Sequence, residues 1–364
     1  MAENIKGTGR RRRHASNAET HRSRPAAKGK SKKGRTKRIV TTVISSLVAL
    51  VLLAMLAVCV MFQHFYGMMN ISDGRLDNSG TVVTPDSDTA TEDNSSTLIY
   101  SDNVYNILLI GSDSREGSVY GLSDVMLLVS INRETKQLFM TSFLRDIYVD
   151  IPGYGPEKLN ATNIFGGPAL TIDTIEQYFE IDINAYAAID FISFVDVVDS
   201  LGGVDNIELS ESEIHYLNQY LPEINRLTGY PESSDMIYDG PGVYHLNGRQ
   251  ALAFCRNRYS DTDFGRTGRQ REVLASLWDS LKDAGITELY SVASSVLPNV
   301  TTDLSQSDCV SLLMTVAQVR DYELISQAIP AEGTYTFDTI NGMSVVSVDF
   351  DANKAVLRET IYGE

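Results

Sequence analysis

The first sustained apolar feature of the chain is an unbroken run at residues 39–62, twenty-four positions without a charge. About 20 such residues cross a bilayer as a helix, so the pattern predicts one transmembrane span. A cleaved signal peptide would carry an apolar stretch of about 7 to 15 residues after a short basic start. Here thirty-eight residues precede the run, which fits an uncleaved signal anchor. Residues 63–97 follow, rich in Ser, Thr, Asp, Asn and Gly from residue 70 onward, with too few apolar groups to form a core. They read as an exposed linker.

From residue 98 to residue 364 the pattern is that of one α/β domain. "YNILLIGSDSR", "DVMLLVSIN" and "LFMTSFLRDIYVDI" are short apolar runs closed by Gly or polar residues, three successive buried strands. "PALTIDTIEQYF" has helical spacing, "INAYAAID" reads as a strand, and "FISFVDVVDSLGG" is an amphipathic helix stopped by glycines. Residues 210–240 are polar with interspersed Tyr and Pro and read as an excursion or lid. "HLNGRQALAFCRNR", "RTGRQREVLASLWDSLKD" and "SQSDCVSLLMTVAQV" are three further helices, and "YELISQAIP" and "MSVVSVDF" are closing strands. The expected architecture is a three-layer α/β/α sandwich with a central mixed sheet, preceded by one transmembrane helix.

Charge changes the picture at the N-terminus. The formal net charge is -16, yet residues 1–38 hold fourteen Lys or Arg against Glu3 and Glu19. A basic tail abutting an apolar span, with seven acidic residues and only Arg75 in residues 70–102, places the tail in the cytoplasm and the domain outside. A nucleic-acid-binding arm is the alternative use of such a tail; the membrane reading is preferred, with no nucleic acid as partner. The three cysteines, Cys59, Cys255 and Cys309, form no metal-binding spacing, and Cys255 and Cys309 are open to being paired or free.

Beyond the tail, six of the remaining Lys and Arg residues are arginines between Arg249 and Arg271. Arg is always ionised, and its planar fork matches phosphate oxygens, so such a cluster suits a diphosphate. Any single one of these arginines is better explained by a surface ion pair, but the group as a whole is not. Arg256 and Arg258 share a face if extended, and Arg266 and Arg269 share a face on a helix; Arg271 points elsewhere and packs or pairs structurally. Asp113 and Asp124 flank the turn between two strands and offer hard oxygens of the kind Mg²⁺ takes alongside phosphate; capping of turns is the competing use. Arg145, at a strand end beside Asp146, is either a substrate clamp or half of a structural pair.

Taken together, "NILLIGSDSR", "LSDVMLLVSIN", "SFLRDIYVDIPGYGPEKLNATNIFGG", "FISFVDVVDSLGGV" and "LNGRQALAFCRNRYSDTDFGRTGRQREVL" resemble the LytR-CpsA-Psr family of cell-envelope glycopolymer transferases. The resemblance implies a polyprenyl chain held inside the fold and transfer of a glycopolymer, such as teichoic acid or capsule, from polyprenyl diphosphate to peptidoglycan with Mg²⁺ or Mn²⁺. It implies metal ligation by Asp113 and Asp124, a diphosphate clamp of Arg115, Arg145, Arg256, Arg258, Arg266, Arg269 and Gln270, and catalytic roles for Arg145, Asp263 and Arg266. Asp263 is the candidate general base and Asp146 its rival. Leu122 and Leu144 stand where the family commonly has Arg and Pro. A non-catalytic envelope regulator or glycan-binding protein, and a diphosphate hydrolase, are the alternative functions.

Overall fold

A computed structural model describes residues 53, 56–76, 98–114, 118–258 and 262–364. The chain divides into two units, Met1–Val60 and Met61–Glu364; in the first, the described residues 53 and 56–60 are helical. Among the described residues no helix is long and apolar enough to cross a membrane. Most of the 39–62 run, all of the basic tail and most of the linker lie outside the described residues.

In the second unit the strands are β1 (Asn70–Ile71), β2 (Val104–Ser112), β3 (Ser123–Asn132), β4 (Gln137–Phe143), β5 (Tyr148–Ile151), β6 (Gly155–Lys158), β7 (Ala185–Asp190), β8 (Val204–Leu209), β9 (Gly242–Leu246), β10 (Thr301–Thr302), β11 (Glu323–Ile329), β12 (Tyr335–Ile340) and β13 (Met343–Val348). The helices are α1 (Thr162–Phe179), α2 (Phe191–Ser200), α3 (Glu211–Leu227), α4 (Gly248–Arg256), α5 (Asp263–Asp283), α6 (Ile286–Val296), α7 (Gln306–Val319) and α8 (Phe350–Leu357). The main sheet has the order β1-β10-β7-β2-β3-β4-β11. It is mixed: β7 with β2 and β4 with β11 run parallel, while β2 with β3 and β3 with β4 run antiparallel. Asn70–Ile71, inside the stretch assigned above to a linker, pairs with Thr301–Thr302 at the sheet edge.

Period-two alternation on β2 and β3 divides the sheet between two helical layers. Leu108, Ile110, Met126 and Leu128 pack with Phe139 and Phe143 of β4 against Ile175 and Phe179 of α1, in a continuous core. On the other face Ile131 and Leu138 meet Trp278 of α5 and Leu312 and Val319 of α7. A second core joins α2, α3, α4 and part of α5 to β8 and β9. Gly248 permits the close approach of α4 to α2, because a Cβ there would lie 2.3 Å from the Val195 carbonyl oxygen.

The 210–240 segment corrects the reading of a featureless excursion. It holds the seventeen-residue α3, started by a capping box between Ser210 and Glu213 and buried through Ile214, Leu217, Leu221 and Ile224. Cys255 and Cys309 are both free thiols.

Candidate active site

The site forms where β2 ends and β3 begins. Gly111 pairs with Val125, but the next residue, Ser112, pairs with Ser123, so Asp124 has no partner across the ladder. Such a bulge re-aims a side chain. The Asp124 carboxylate accepts a 2.6 Å hydrogen bond from Arg145 Nη1, and Arg266 Nη1 stands 3.8 Å from the same oxygen. Arg145 is delivered just beyond β4. Asp263 opens α5, and Arg266 follows one turn later, with its Nη2 3.6 Å from Asp263 Oδ1. The cluster thus draws on three distant parts of the chain.

A second carboxylate pair adjoins it. Asp146 Oδ1 lies 2.8 Å from Lys158 Nζ, its Oδ2 lies 3.8 Å from Arg145 Nε, and its carboxyl is hydrogen-bonded to that of Asp263. Burial raises the pKa of Asp263, and the Asp146 hydrogen bond raises it further. Burial acts the same way on Asp146, but the hydrogen bonds from Asp263 and Lys158, with Arg145, outweigh it and hold Asp146 below its usual range. The two shifts run in opposite directions, so a proton on the pair favours Asp263 over Asp146.

The arginines are crowded and incompletely satisfied. Arg266 is 2% exposed, and its Nε and Nη2 and the Nε of Arg145 are buried with no hydrogen-bond partner among the described residues. Burial, then the neighbouring Arg145, lowers the Arg266 pKa. Burial also opposes charge on Arg145, but Asp124, Asp146 and Asp263 overcome it and raise its pKa. Two cations held this close, with donors left over, have the chemistry to bind an anion.

Behind these groups is an apolar cavity of about 280 Å³. Its sheet wall is Leu109, Ile110, Gly111, Val125, Ala187 and Ile189, and its helical walls include Phe191, Phe194 and Val197 of α2, Leu252 of α4, Leu274 of α5 and Val296 of α6. The polar lining residues are Asp124, Arg256, Arg266, Gln270 and Asp190. Cavity and anion site are therefore continuous.

The other expected residues are placed as follows. Asp113, directly after β2, accepts the Leu122 N–H at 3.1 Å through Oδ1. Arg256 lines the cavity, with its guanidinium 4.8 Å from the Phe191 ring centroid and Nη1 3.4 Å from Glu223 Oε2. Gln270 lines it too, donating to the Cys255 carbonyl at 3.4 Å. The extended Arg256/Arg258 pair does not form. Arg256 ends α4, a helix started by the Asn247/Gln250 capping box, and Arg258 lies exposed beyond it, so the two do not share a strand face. Arg266 and Arg269 do share α5, yet Arg269 donates to the Asn257 carbonyl and lies 3.6 Å from Glu213, outside the cavity lining. Arg271 donates to Ser142 Oγ at 2.8 Å. Arg115 lies outside the described residues. Lys158, Phe191, Phe194 and Glu223 were missed by the sequence reading; the aromatic i, i+3 spacing on α2 was the available signal for the cavity wall.

The profile of the LytR_cpsA_psr family matches residues 75–361, enclosing both the cavity and the arginine-carboxylate cluster. The chain belongs to the LytR-CpsA-Psr family. A relative, the polyisoprenyl-teichoic acid--peptidoglycan teichoic acid transferase TagU of Oceanobacillus iheyensis, is 31% identical over 277 residues, covering 74% of this chain and 78% of the relative. The crystal structure of Bacillus subtilis TagT matches with a TM-score of 0.55 and 26% identity over 72% of this chain and 92% of that chain. A structure of TagT bound to LI-WTA matches with a TM-score of 0.56 and 26% identity over the same shares, 72% and 92%. The mixed sheet between helical layers described above is thus the architecture of LytR-CpsA-Psr structures.

Proposed function

We propose that this chain moves a glycopolymer from a polyprenyl diphosphate carrier to a hydroxyl of peptidoglycan, leaving a phosphodiester link in the cell wall. One observation carries the reading: an apolar cavity ends at buried arginines that have unused donors. A prenyl chain matches the cavity wall and a diphosphate matches its end. Relatives that act as teichoic acid transferases, and a TagT structure holding LI-WTA, support the same chemistry. The uncharged 39–62 run would anchor the chain in the cell membrane with its N-terminus cytoplasmic and its domain outside.

The acceptor oxygen attacks the phosphorus that bears the glycopolymer; the bond from that phosphorus to the bridging oxygen breaks, and polyprenyl phosphate leaves. Arg145, Arg256 and Arg266 stabilise charge developing on phosphorus and on the leaving phosphate, in a pocket where solvent screens them little. The carboxylate of the Asp146–Asp263 pair, kept available on Asp146 by Lys158, takes the proton of the acceptor hydroxyl.

Asp113 and Asp124 provide two hard oxygen donors at adjoining strand ends, a set suited to Mg²⁺ or Mn²⁺. Among the described residues no group of three or more His, Cys, Asp or Glu could hold a metal ion alone. Diphosphate oxygens and water would complete the coordination, and the cation would neutralise the diphosphate.

The test is transfer by the purified full chain from a lipid-linked donor to peptidoglycan. Arg256→Ala and Asp124→Ala should each abolish transfer, chelation should abolish it reversibly, and both variants should melt as the parent does. Full activity in both would refute the site. Free polymer released without peptidoglycan would instead indicate a hydrolase, and donor binding without product a regulator.

A further inference from the structure

The second unit begins where the uncharged run ends, and its first residues are tied to α6, α7 and the loops beside them. Gln63 Nε2 donates to Gln306 Oε1 at 3.2 Å, the Phe65 ring centroid lies 5.0 Å from that of Tyr290, and Tyr66 Oη donates to the Leu304 carbonyl at 3.2 Å. Around this entry point the domain leaves large apolar side chains uncovered. Val310, Leu313 and Met314 of α7 are 40%, 62% and 72% exposed, and Leu289 and Tyr290 of α6 are 41% and 47% exposed. The three α7 residues stand at i, i+3 and i+4, one stripe of the helix, while Leu312 and Val319 face the core.

We propose that this α6–α7 face sits in the bilayer interface, with Leu289, Tyr290, Val310, Leu313 and Met314 among the lipids. The proposal rests on the anchor reading of residues 39–62, which fixes the lipid surface within a residue or two of Gln63. Neither helix contains Lys or Arg, so the attachment is apolar and needs no anionic lipid; Tyr290, apolar with a polar tip, suits the headgroup boundary. The seating has a consequence for substrate entry. Val296 of α6 and Val300 just beyond it line the cavity, and α6 packs on α2, whose Phe191, Phe194 and Val197 form the adjoining wall. The cavity wall is then at the membrane, and a prenyl chain passes from bilayer to cavity beside α6 without crossing water.

The full chain is reconstituted in vesicles of a single zwitterionic phosphatidylcholine, with p-benzoylphenylalanine in place of Met314 or, as control, of Tyr238, which is 82% exposed. Irradiation should give lipid adducts for Met314→p-benzoylphenylalanine and none for the control, unchanged by high salt, with the chain resisting carbonate extraction. No lipid adduct at 314 overturns the docking face, whether or not the chain stays in the vesicle. An adduct in a chain that carbonate removes keeps the face and refutes the anchor. Crosslinks at 314 joining two chains overturn it in favour of a second copy. Independently, L313D/M314D should lower transfer from a vesicle-borne long-chain donor by about tenfold, while leaving melting and transfer from a short, water-soluble donor unchanged. Equal loss with both donors contradicts the proposal.

Discussion

Strand β2 carries two apolar faces that do different work. Leu108 is fully buried against α1, whereas Leu109, one residue away, lines a cavity and is only half-buried. β7 repeats the contrast, with Ala188 sealed in the core and Ala187 on the cavity wall. The helices opposite explain it. α1 supplies Ile175 and Phe179, which fill the space against the first face, while α2, α4 and α5 stand back from the second and present Phe194, Leu252 and Leu274 around a void. Solid packing stabilises, and an unfilled apolar wall forfeits contacts that only a ligand restores. The charged cluster sits at the end of the unfilled side.

The largest expected effect isolates that cluster. Arg266→Ala should cut transfer by about a thousandfold or more while moving the melting temperature little, because it also removes unpaired buried donors; an unfolded variant by circular dichroism would contradict this. On the packed face, Leu108→Ala should cost about 3 kcal/mol in denaturant unfolding, against about 1 kcal/mol for Leu109→Ala, whose neighbours already border a void. Adjacent alanines give the next contrast. Ala188→Phe should destabilise by about 2–3 kcal/mol through overpacking, whereas Ala187→Phe should fold normally and raise KM for the lipid donor by filling the cavity. Smallest is a pH effect on the packed side. Burial raises the Glu176 pKa to about 7, so the folded chain holds a proton that the unfolded chain gives up near its ordinary 4.5. Stability should therefore fall as pH rises through that window, and Glu176→Gln should flatten the dependence in thermal melts.

The strands of the main sheet from β2 to β7 were legible because apolar runs of strand length, closed by Gly and polar residues, have few other uses. Asp124, Arg145 and Arg266 were legible as candidates through charge type and spacing, and Asp263 through the family resemblance, but their convergence depends on a bulge and on the start of α5, neither written as a motif. α3 was missed although Ser210 and Glu213 form a capping box, because Pro222 and the tyrosines obscured the Ile214, Leu217, Leu221, Ile224 stripe. α6 and β12 were missed as well, their short apolar segments being diluted by Ser and Thr, whereas β13 was legible in "MSVVSVDF". The Arg256/Arg258 pairing failed because two-residue spacing has meaning only on an extended backbone, and α4 runs through Arg256. The carboxyl pairing of Asp146 with Asp263 spans too much chain for spacing to disclose.

The cavity's role as the prenyl site is tested most directly by ligand-induced stabilisation of the full chain, comparing the parent with Ala187→Phe in detergent. Polyprenyl diphosphate should raise the melting temperature of the parent by several degrees and leave Ala187→Phe unmoved, while inorganic diphosphate shifts both equally and less. An equal shift of both proteins by the polyprenyl compound would show that the chain is held elsewhere and would contradict the account.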